Sequence, residues 1–210
     1  QFGTGVPMNL GANGENNNDG ATSDRPSGVT RNSLNLPARK NVDLALRAWR
    51  EVRREQIDAQ LVLVGPVPER SDAAAWRYYQ ELLEYVEREG LQDSVIFTGF
   101  QPAVASYLRA SDIFLFPSKQ EGMPNALLEA MASGLPSVAS QISGTEDLIE
   151  QGSNGYMFPL QDEPAYARAL IELLRDPDLT RRNGEQARRF VESSYSLHAL
   201  SASYEQIYRD

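Results

Sequence analysis

The sequence predicts an α/β fold, a doubly wound parallel sheet with helices on both faces and a helical C-terminal tail. Short, continuous apolar runs alternate with longer amphipathic segments. This alternation is typical of parallel strands that are buried on both faces and joined by right-handed crossover helices. From Pro164 onward the periodicity is helical, with a break at Asp176-Pro177, and this indicates the tail.

Composition narrows the classes of function. The 210 residues suit one domain, or one domain with an appended segment. The chain has no cysteine and one histidine, His198, which excludes disulfides, thiol catalysis and a histidine-rich metal site. We therefore expect no metal. A net charge of −9 argues against nucleic acid as a partner.

The expected location is the cytoplasm. No apolar run approaches the roughly 18 residues of a membrane span, so no transmembrane segment is predicted. Contact with a membrane surface would depend on a domain outside this chain.

The chain divides into two parts. Residues 1–38 contain the run Asn16-Asn17-Asn18-Asp19-Gly20 and little apolar periodicity, so they are predicted to be linker-like or irregular. Within them, Gly28-Val29-Thr30-Arg31 is a weak candidate for a first strand. Residues 39–210 are predicted to form the folded domain.

The folded part contains regularly spaced elements. Asn41 is a candidate N-cap for a helix that places Val42, Ala45, Leu46, Trp49 and Val52 on one face. The further predicted strands are 61–64, 95–97, 113–116, 137–139 and 156–158. The further predicted helices are 72–89, 104–110, one that begins at 144, 164–175, 179–193 and 197–209.

A loop and helix at 118–136 hold the main chemical pattern. Glu121 and Glu129 have seven residues between them, and Pro124 marks the start of the helix. Glu129 shares a face with Asn125 and Ser133. This polar stripe either faces solvent or contacts a ligand. A helix N-terminus favours an anion such as phosphate, and Gly122 allows a close approach to the backbone.

The residues Glu121 to Asn125 and Leu128 to Ala132, closed by Gly134-Leu135-Pro136, resemble the Glu-x7-Glu signature of retaining glycosyltransferases of the GT4-type family, also called group 1. The resemblance extends from about residue 39 to the C-terminus. It implies a Rossmann-like domain that forms one half of a GT-B fold, the half that binds the donor.

The resemblance implies transfer of a sugar from a nucleotide diphosphate sugar to a hydroxyl acceptor, with retained anomeric configuration. Glu121 and Lys40 are the implied catalytic residues. Glu121 would hold sugar hydroxyls, and Lys40 matches the family lysine that contacts the donor diphosphate. The alternative for Lys40 is a solvated basic residue. No cofactor is implied, because the nucleotide sugar is a substrate.

Other positions are implied to bind the donor. Glu129 would accept hydrogen bonds from ribose hydroxyls, and Phe100 and Gln101 would lie against the base unless they form an ordinary strand-to-helix turn. The remaining donor-binding candidates are Gly122, Met123, Pro124, Asn125, Arg39 and Gly65. The family pattern places Gly-Arg after the first strand, and this chain offers only Arg31 as a possible match.

A complete GT-B enzyme also contains an N-terminal acceptor domain, for which this chain has no room. We expect that domain either in the same longer protein or in a partner chain. A chain that works alone would be a non-catalytic module that binds a nucleotide sugar. A sugar-nucleotide epimerase is a weaker alternative, because the Glu-x7-Glu spacing fits it poorly.

Overall fold

The computed structural model describes residues 27–32, 38–196 and 201. Over this part the chain forms one sheet and six α-helices. The strands are β1 (Ser27–Asn32), β2 (Ala59–Val64), β3 (Val95–Gly99), β4 (Ile113–Phe116), β5 (Ser137–Ser140) and β6 (Gly155–Phe158). The helices are α1 (Val42–Arg54), α2 (Ala73–Arg88), α3 (Val104–Arg109), α4 (Asn125–Ala132), α5 (Glu163–Arg175) and α6 (Pro177–Ser194), and a 3-10 turn spans Ala38–Lys40.

The sheet is entirely parallel, with the strand order β3-β2-β1-β4-β5-β6. The chain builds outward from β1 to β3, then returns to the other side of β1 and builds outward again. This doubly wound order confirms the predicted Rossmann-like fold. It also places a topological switch point between β1 and β4, where such sheets bind their ligands.

β1 is the central strand, although it lies within the segment that the sequence predicts to be irregular. All six of its residues pair with β2, from Ser27 opposite Ala59 to Asn32 opposite Val64, and it also pairs with β4. The weak first-strand candidate, Gly28-Val29-Thr30-Arg31, is thus a strand, and the irregular description does not hold for Ser27–Asn32. Pairing on both edges stabilises a strand whose own apolar pattern is weak. The domain boundary at residue 38 stays a prediction.

Two apolar clusters cover the two faces of the sheet. One contains the buried faces of α1, α2 and α5, and the other contains those of α4 and α6 with Leu108 of α3. The predicted face of α1 is fully buried, and the Trp49 indole Nε1 donates a hydrogen bond to Ser94 Oγ at 3.2 Å. The predicted helices on both faces are thus confirmed.

The structure differs from two local predictions, and a third lies almost wholly outside the described residues. Asn41 precedes α1 but adopts the left-handed region (φ 54°), and its side chain makes no capping hydrogen bond. Residues 143–148 form turns and not a helix. Here the Thr145 hydroxyl accepts a hydrogen bond from Ile142 N and also lies 2.7 Å from Ser140 O. It thus provides a hydrogen-bond partner for backbone groups near the turn. The helix predicted at 197–209 lies outside the described residues, apart from residue 201.

Among the helices of the described ranges, none combines the length and apolar character needed to cross a membrane.

Helix α4 packs closely against α6 through two glycines. Gly134 follows α4 with a φ of 81°, and Gly184 lies in the interior of α6. A Cβ atom on Gly184 would collide with the backbone carbonyl of Gly134. Because the collision is with backbone, a side-chain rotation cannot relieve it.

We predict that Gly184→Ala destabilises the protein by about 1–3 kcal/mol, the typical cost of overpacking. An alanine in place of an exposed glycine inside a helix usually has the opposite effect and stabilises by about 1 kcal/mol. Urea unfolding measures the difference, with Gln186→Ala at an exposed position of α6 as the control. A Gly184→Ala variant that is as stable as the wild type would contradict this packing.

Candidate functional site

The candidate site lies at the switch point, where the chain segments that follow β1 and β4 meet. Arg39 and Lys40 belong to the 3-10 turn that precedes α1, and Glu121 belongs to the loop between β4 and α4. The backbone N–H of Lys119 donates to the carbonyl oxygen of Arg39 at 2.7 Å. This hydrogen bond joins two segments that are about 80 residues apart in the sequence and holds Lys40 next to Glu121.

Lys40 and Glu121 form a close ion pair. Lys40 Nζ lies 2.6 Å from Glu121 Oε1, and the two side chains are only 12% and 11% exposed. The ammonium also lies 5.8 Å from the centroid of the Phe116 ring. Burial reduces screening by water, so this pair interacts more strongly than a surface pair. Lys40 is therefore not a solvated basic residue, the alternative left open by the sequence.

A small cavity of about 120 Å³ adjoins the ion pair. Its walls come from the turn before α1, the end of β4 and the start of α4. The residues that line it are Lys40, Phe116, Glu121, Met123, Pro124, Asn125 and Ala126. Small-molecule sites usually measure about 300–1,000 Å³, so this cavity suits one group of a larger ligand.

The start of α4 opens onto this cavity. Asn125 N donates to Met123 O at 2.9 Å, whereas no hydrogen bond within the described ranges engages the backbone N–H groups of Gly122, Met123 and Ala126. Free N–H groups and the positive end of the helix dipole favour an anion. Lys40 adds a full positive charge at the same place.

The loop before α4 is supported from the far side by the turn at 143–148. Gly144 has a φ of +90°, and an added Cβ would lie 3.4 Å from Pro124 Cδ and 3.6 Å from Gly122 O. A side chain at this position would be strained in any case, because L-residues rarely adopt that φ. The turn that replaces the predicted helix thus fits against the loop that carries Glu121.

The polar stripe of α4 lies next to the cavity. Asn125 and Glu129 are exposed, and the Glu129 side chain makes no ion pair with any described residue. One helical turn, about 6 Å, separates the two Cα atoms along the axis. The Ser133 hydroxyl donates to Glu129 O at 2.8 Å, so it serves the helix backbone. Glu129 is not part of the cavity wall.

The remaining candidates lie on the same edge of the sheet but outside the cavity. Gly65 N donates to Gly99 O at 3.2 Å, which joins the ends of β2 and β3. Gln101 Nε2 donates to Thr98 O at 2.9 Å and closes the turn, while Phe100 is 68% exposed. Arg39 is exposed as well.

Arg31 occupies the carboxyl end of β1, where its backbone pairs with Leu63. Its side chain is outside the described part of the structure.

Sequence reasoning did not identify Phe116 or Ser118 as site residues. Phe116 ends an apolar strand, and nothing in the sequence distinguishes it from a core residue. Ser118 is 1% exposed, and no described residue forms a hydrogen bond with its hydroxyl. Among the described residues, no group of three or more His, Cys, Asp or Glu side chains could hold a metal ion.

A larger cavity of about 230 Å³ lies at the opposite, amino end of β4, between α4, α5 and α6. Two hydroxyls in its wall already have backbone partners, because Thr180 Oγ1 donates to Leu173 O and Ser133 Oγ donates to Glu129 O. Parallel α/β sheets bind ligands at the carboxyl ends of their strands. The cavity beside Lys40 is therefore the candidate site, despite its smaller volume.

A polar network fixes the first turn of α1, directly after Lys40. The Tyr78 hydroxyl donates to Asp43 Oδ1 at 2.9 Å, and Arg47 Nη1 donates to Asp43 Oδ2 at 2.8 Å. Arg47 Nε also donates to Glu163 of α5 at 2.7 Å. Burial by itself would raise the pKa of Asp43, but these two hydrogen bonds and the charges of Arg47 and Lys119 lower it below its ordinary value of 3.8.

Comparison with known proteins gives a consistent family. A family model described as glycosyl transferases group 1 matches residues 30–176. Among curated proteins, the N-acetyl-alpha-D-glucosaminyl L-malate synthase of Bacillus anthracis is 34% identical over 171 residues, and the alpha-D-kanosaminyltransferase of Streptomyces kanamyceticus is 32% identical over 177 residues. These alignments cover 81% and 83% of this chain but only 42% and 44% of the relatives, so the chain spans less than half of their length.

Solved structures share the fold. Sucrose-phosphate synthase from Thermosynechococcus elongatus is 26% identical with a TM-score of 0.76, over 88% of this chain and 45% of that one. The C-terminal domain of the group 1 glycosyl transferase LpcC from Francisella tularensis is 24% identical with a TM-score of 0.73. That match covers 81% of this chain and 87% of the LpcC domain, so the two domains correspond over most of their lengths.

A third match is Anabaena HepE in complex with UDP and glucose, which is 22% identical with a TM-score of 0.75. It covers 87% of this chain and 48% of HepE.

We predict that Asp43→Asn lowers the free energy of unfolding at pH 7. We also predict that this free energy then decreases less as the pH is lowered. Because the pKa of Asp43 is lower in the folded state, its carboxylate contributes fully above about pH 5, and that contribution is lost as the pH falls through 3.8 and below. Urea unfolding between pH 7 and pH 3 measures the loss, which should be smaller in Asp43→Asn than in the wild type. Tyr78→Phe, which removes one of the two hydrogen bonds, should give an intermediate curve. Parallel curves for all three proteins would contradict the assigned role of Asp43.

Proposed function

This chain belongs to the group 1 glycosyl transferases, and on that premise we propose that it binds a nucleotide diphosphate sugar for transfer to a hydroxyl acceptor with retained anomeric configuration. The main support for this proposal is the largely buried Lys40–Glu121 pair beside the start of α4, at the switch point of the sheet. A cation, a carboxylate and backbone N–H groups that no described residue engages meet there. Together they match a ligand that has phosphates on one side and hydroxyls on the other.

Lys40 and the start of α4 bind the diphosphate in this proposal. When the bond between the anomeric carbon and the distal phosphate oxygen breaks, negative charge grows on the departing phosphate. An ammonium and oriented N–H groups stabilise that charge more than they stabilise the intact donor, which lowers the barrier. The limited exposure of Lys40 strengthens the effect because little water competes for the ammonium.

Glu121 binds hydroxyls of the transferred sugar. Its Oε1 atom is in contact with Lys40, and among the described residues no group donates to its second oxygen, which can accept from a sugar hydroxyl. We do not assign Glu121 as a nucleophile, because that role depends on the distance between carboxylates across the scissile bond. Its proposed role is to position the sugar.

Glu129 and Phe100 bind the nucleoside. Glu129 lies one helical turn beyond Asn125 on the exposed face of α4, and a carboxylate there can accept from both hydroxyls of a ribose. The Phe100 ring is largely exposed at the end of β3 and offers a face for a base. UDP in the HepE complexes supports a nucleoside diphosphate as the ligand class.

The acceptor half of the enzyme completes the site in this proposal. The cavity beside Lys40 holds about 120 Å³, too little for a whole nucleotide sugar. The alignments cover less than half of each curated relative named above. The second half would be an N-terminal domain of the same protein or a partner chain. The alternative is a module that binds the donor without catalysis, and a transfer assay with the acceptor half present distinguishes the two.

We predict that calorimetric titration with UDP, GDP, ADP and their common sugar conjugates shows saturable binding of one nucleotide class. Glu129→Ala should weaken that binding about ten- to a hundredfold, because it removes hydrogen bonds to a charged group worth about 1.5–3 kcal/mol. Glu84→Gln removes a carboxylate from an exposed position on α2 and should leave the affinity unchanged.

The absence of saturable binding by every nucleotide tested would contradict the proposal for this chain. Binding that Glu129→Ala leaves unchanged would contradict the assignment of Glu129 and leave the site at Lys40 to be tested separately.

A further inference from the structure

The opposite charges of Lys40 and Glu121 are already paired without any ligand. Lys40 Nζ lies 2.6 Å from Glu121 Oε1, and within the described residues Glu121 is the one side chain that accepts a hydrogen bond from this ammonium. Both side chains are close to nine-tenths buried. A ligand that uses Lys40 must therefore compete with a carboxylate that is already in place.

A diphosphate would disturb this pair. If phosphate oxygens approach the ammonium, they also approach the Glu121 carboxylate, which carries the same sign of charge. If the carboxylate moves away instead, a largely buried charge loses its partner. Either event raises the free energy of the complex and weakens the binding of a plain nucleoside diphosphate.

A sugar on the diphosphate removes this penalty. Its hydroxyl groups can donate to Glu121 while the phosphates take the ammonium, so both charged groups keep a partner. A nucleotide sugar replaces the Lys40–Glu121 contact with two contacts, one to each residue. A nucleoside diphosphate replaces it with one contact, to Lys40.

We propose that Glu121 is an internal competitor for Lys40 that makes the site prefer the nucleotide sugar over the free nucleoside diphosphate. This inference rests on the proposed function and deepens it. After transfer the sugar is gone from the diphosphate, Glu121 regains Lys40, and the re-formed pair favours release of the diphosphate product.

The local structure leaves room for the carboxylate to move. The Lys119–Arg39 hydrogen bond joins the turn that carries Lys40 to the loop that carries Glu121. Beyond it, Gly122 and Met123 are exposed, and a Cβ on Gly122 would meet no atom within 4 Å. The Glu121 side chain can therefore shift without unpacking the core.

The test compares matched ligand pairs on the full chain: UDP with UDP-glucose, GDP with GDP-mannose, and ADP with ADP-glucose. Calorimetry gives the affinity of each ligand for the wild type, Glu121→Gln, Glu129→Gln and Glu84→Gln. For the pair that binds, we expect Glu121→Gln to bind the nucleoside diphosphate about tenfold more tightly, the difference between a charged and a neutral hydrogen bond. The nucleotide sugar should bind equally or more weakly, so the ratio of the two affinities falls.

The other variants separate this effect from simple changes of charge. Glu129→Gln should lower the affinity for both ligands by the same factor, because both contain the nucleoside. Glu84→Gln should change neither. In a Lys40→Met background, Glu121→Gln should increase the affinity for the nucleoside diphosphate by less than about tenfold, since competition for the ammonium is gone and only the charge repulsion is relieved.

Two results would overturn the inference. In the first, Glu121→Gln leaves the affinity for the nucleoside diphosphate unchanged or lowers it. In the second, Glu121→Gln raises the affinity for the nucleoside diphosphate and for the nucleotide sugar by the same factor. If the wild type binds no member of any pair, the proposed function itself fails, and the inference fails with it. Thermal unfolding of each variant verifies that it is folded at the temperature of titration.

Discussion

The position of β1 between β2 and β4 is the constraint on which the rest of the structure depends. β1 pairs with both neighbours, and this central pairing makes the chain wind outward in two directions. The helices that follow β1 and β4 then lie on opposite faces of the sheet, with a crevice at the switch point between the two strands. α1 leaves the crevice on one face and α4 on the other, in line with the two apolar clusters that bury them. A site at this point follows from the winding of the sheet.

Electrostatics then decides what the crevice can bind. The overall charge is −9, yet the site combines the ammonium of Lys40 with N–H groups at the start of α4 that no described residue engages. Charges farther away than about 10 Å are screened at ordinary salt, so the local arrangement outweighs the net charge. Glu121 balances the ammonium when no ligand is present. The same carboxylate gives the site its second property, an acceptor for hydroxyl groups.

The supporting structure holds these few groups by backbone and side-chain hydrogen bonds and by close packing of helices. The Lys119–Arg39 hydrogen bond fixes the turn before α1, and the Asp43 network with Tyr78 and Arg47 fixes the first turn of that helix. On the other face, the close contact of Gly134 with Gly184 sets the position of α4 on α6. The geometry of the site is thus decided by packing between elements that are distant in the sequence. The family match over residues 30–176 covers all of these contacts except the one with Gly184.

The sequence by itself determined the secondary structure of most of the domain and the fold class, because apolar periodicity depends on neighbouring residues and on burial. It also singled out Glu121 and Lys40 through a resemblance to a family. Three features were decided only by tertiary structure. β1 is a strand because two neighbours pair with it, and Asn41 precedes α1 in a left-handed conformation without a capping hydrogen bond. The contact of Lys40 with Glu121 joins residues 81 positions apart, and no local pattern encodes it, because strand order brings those two loops together.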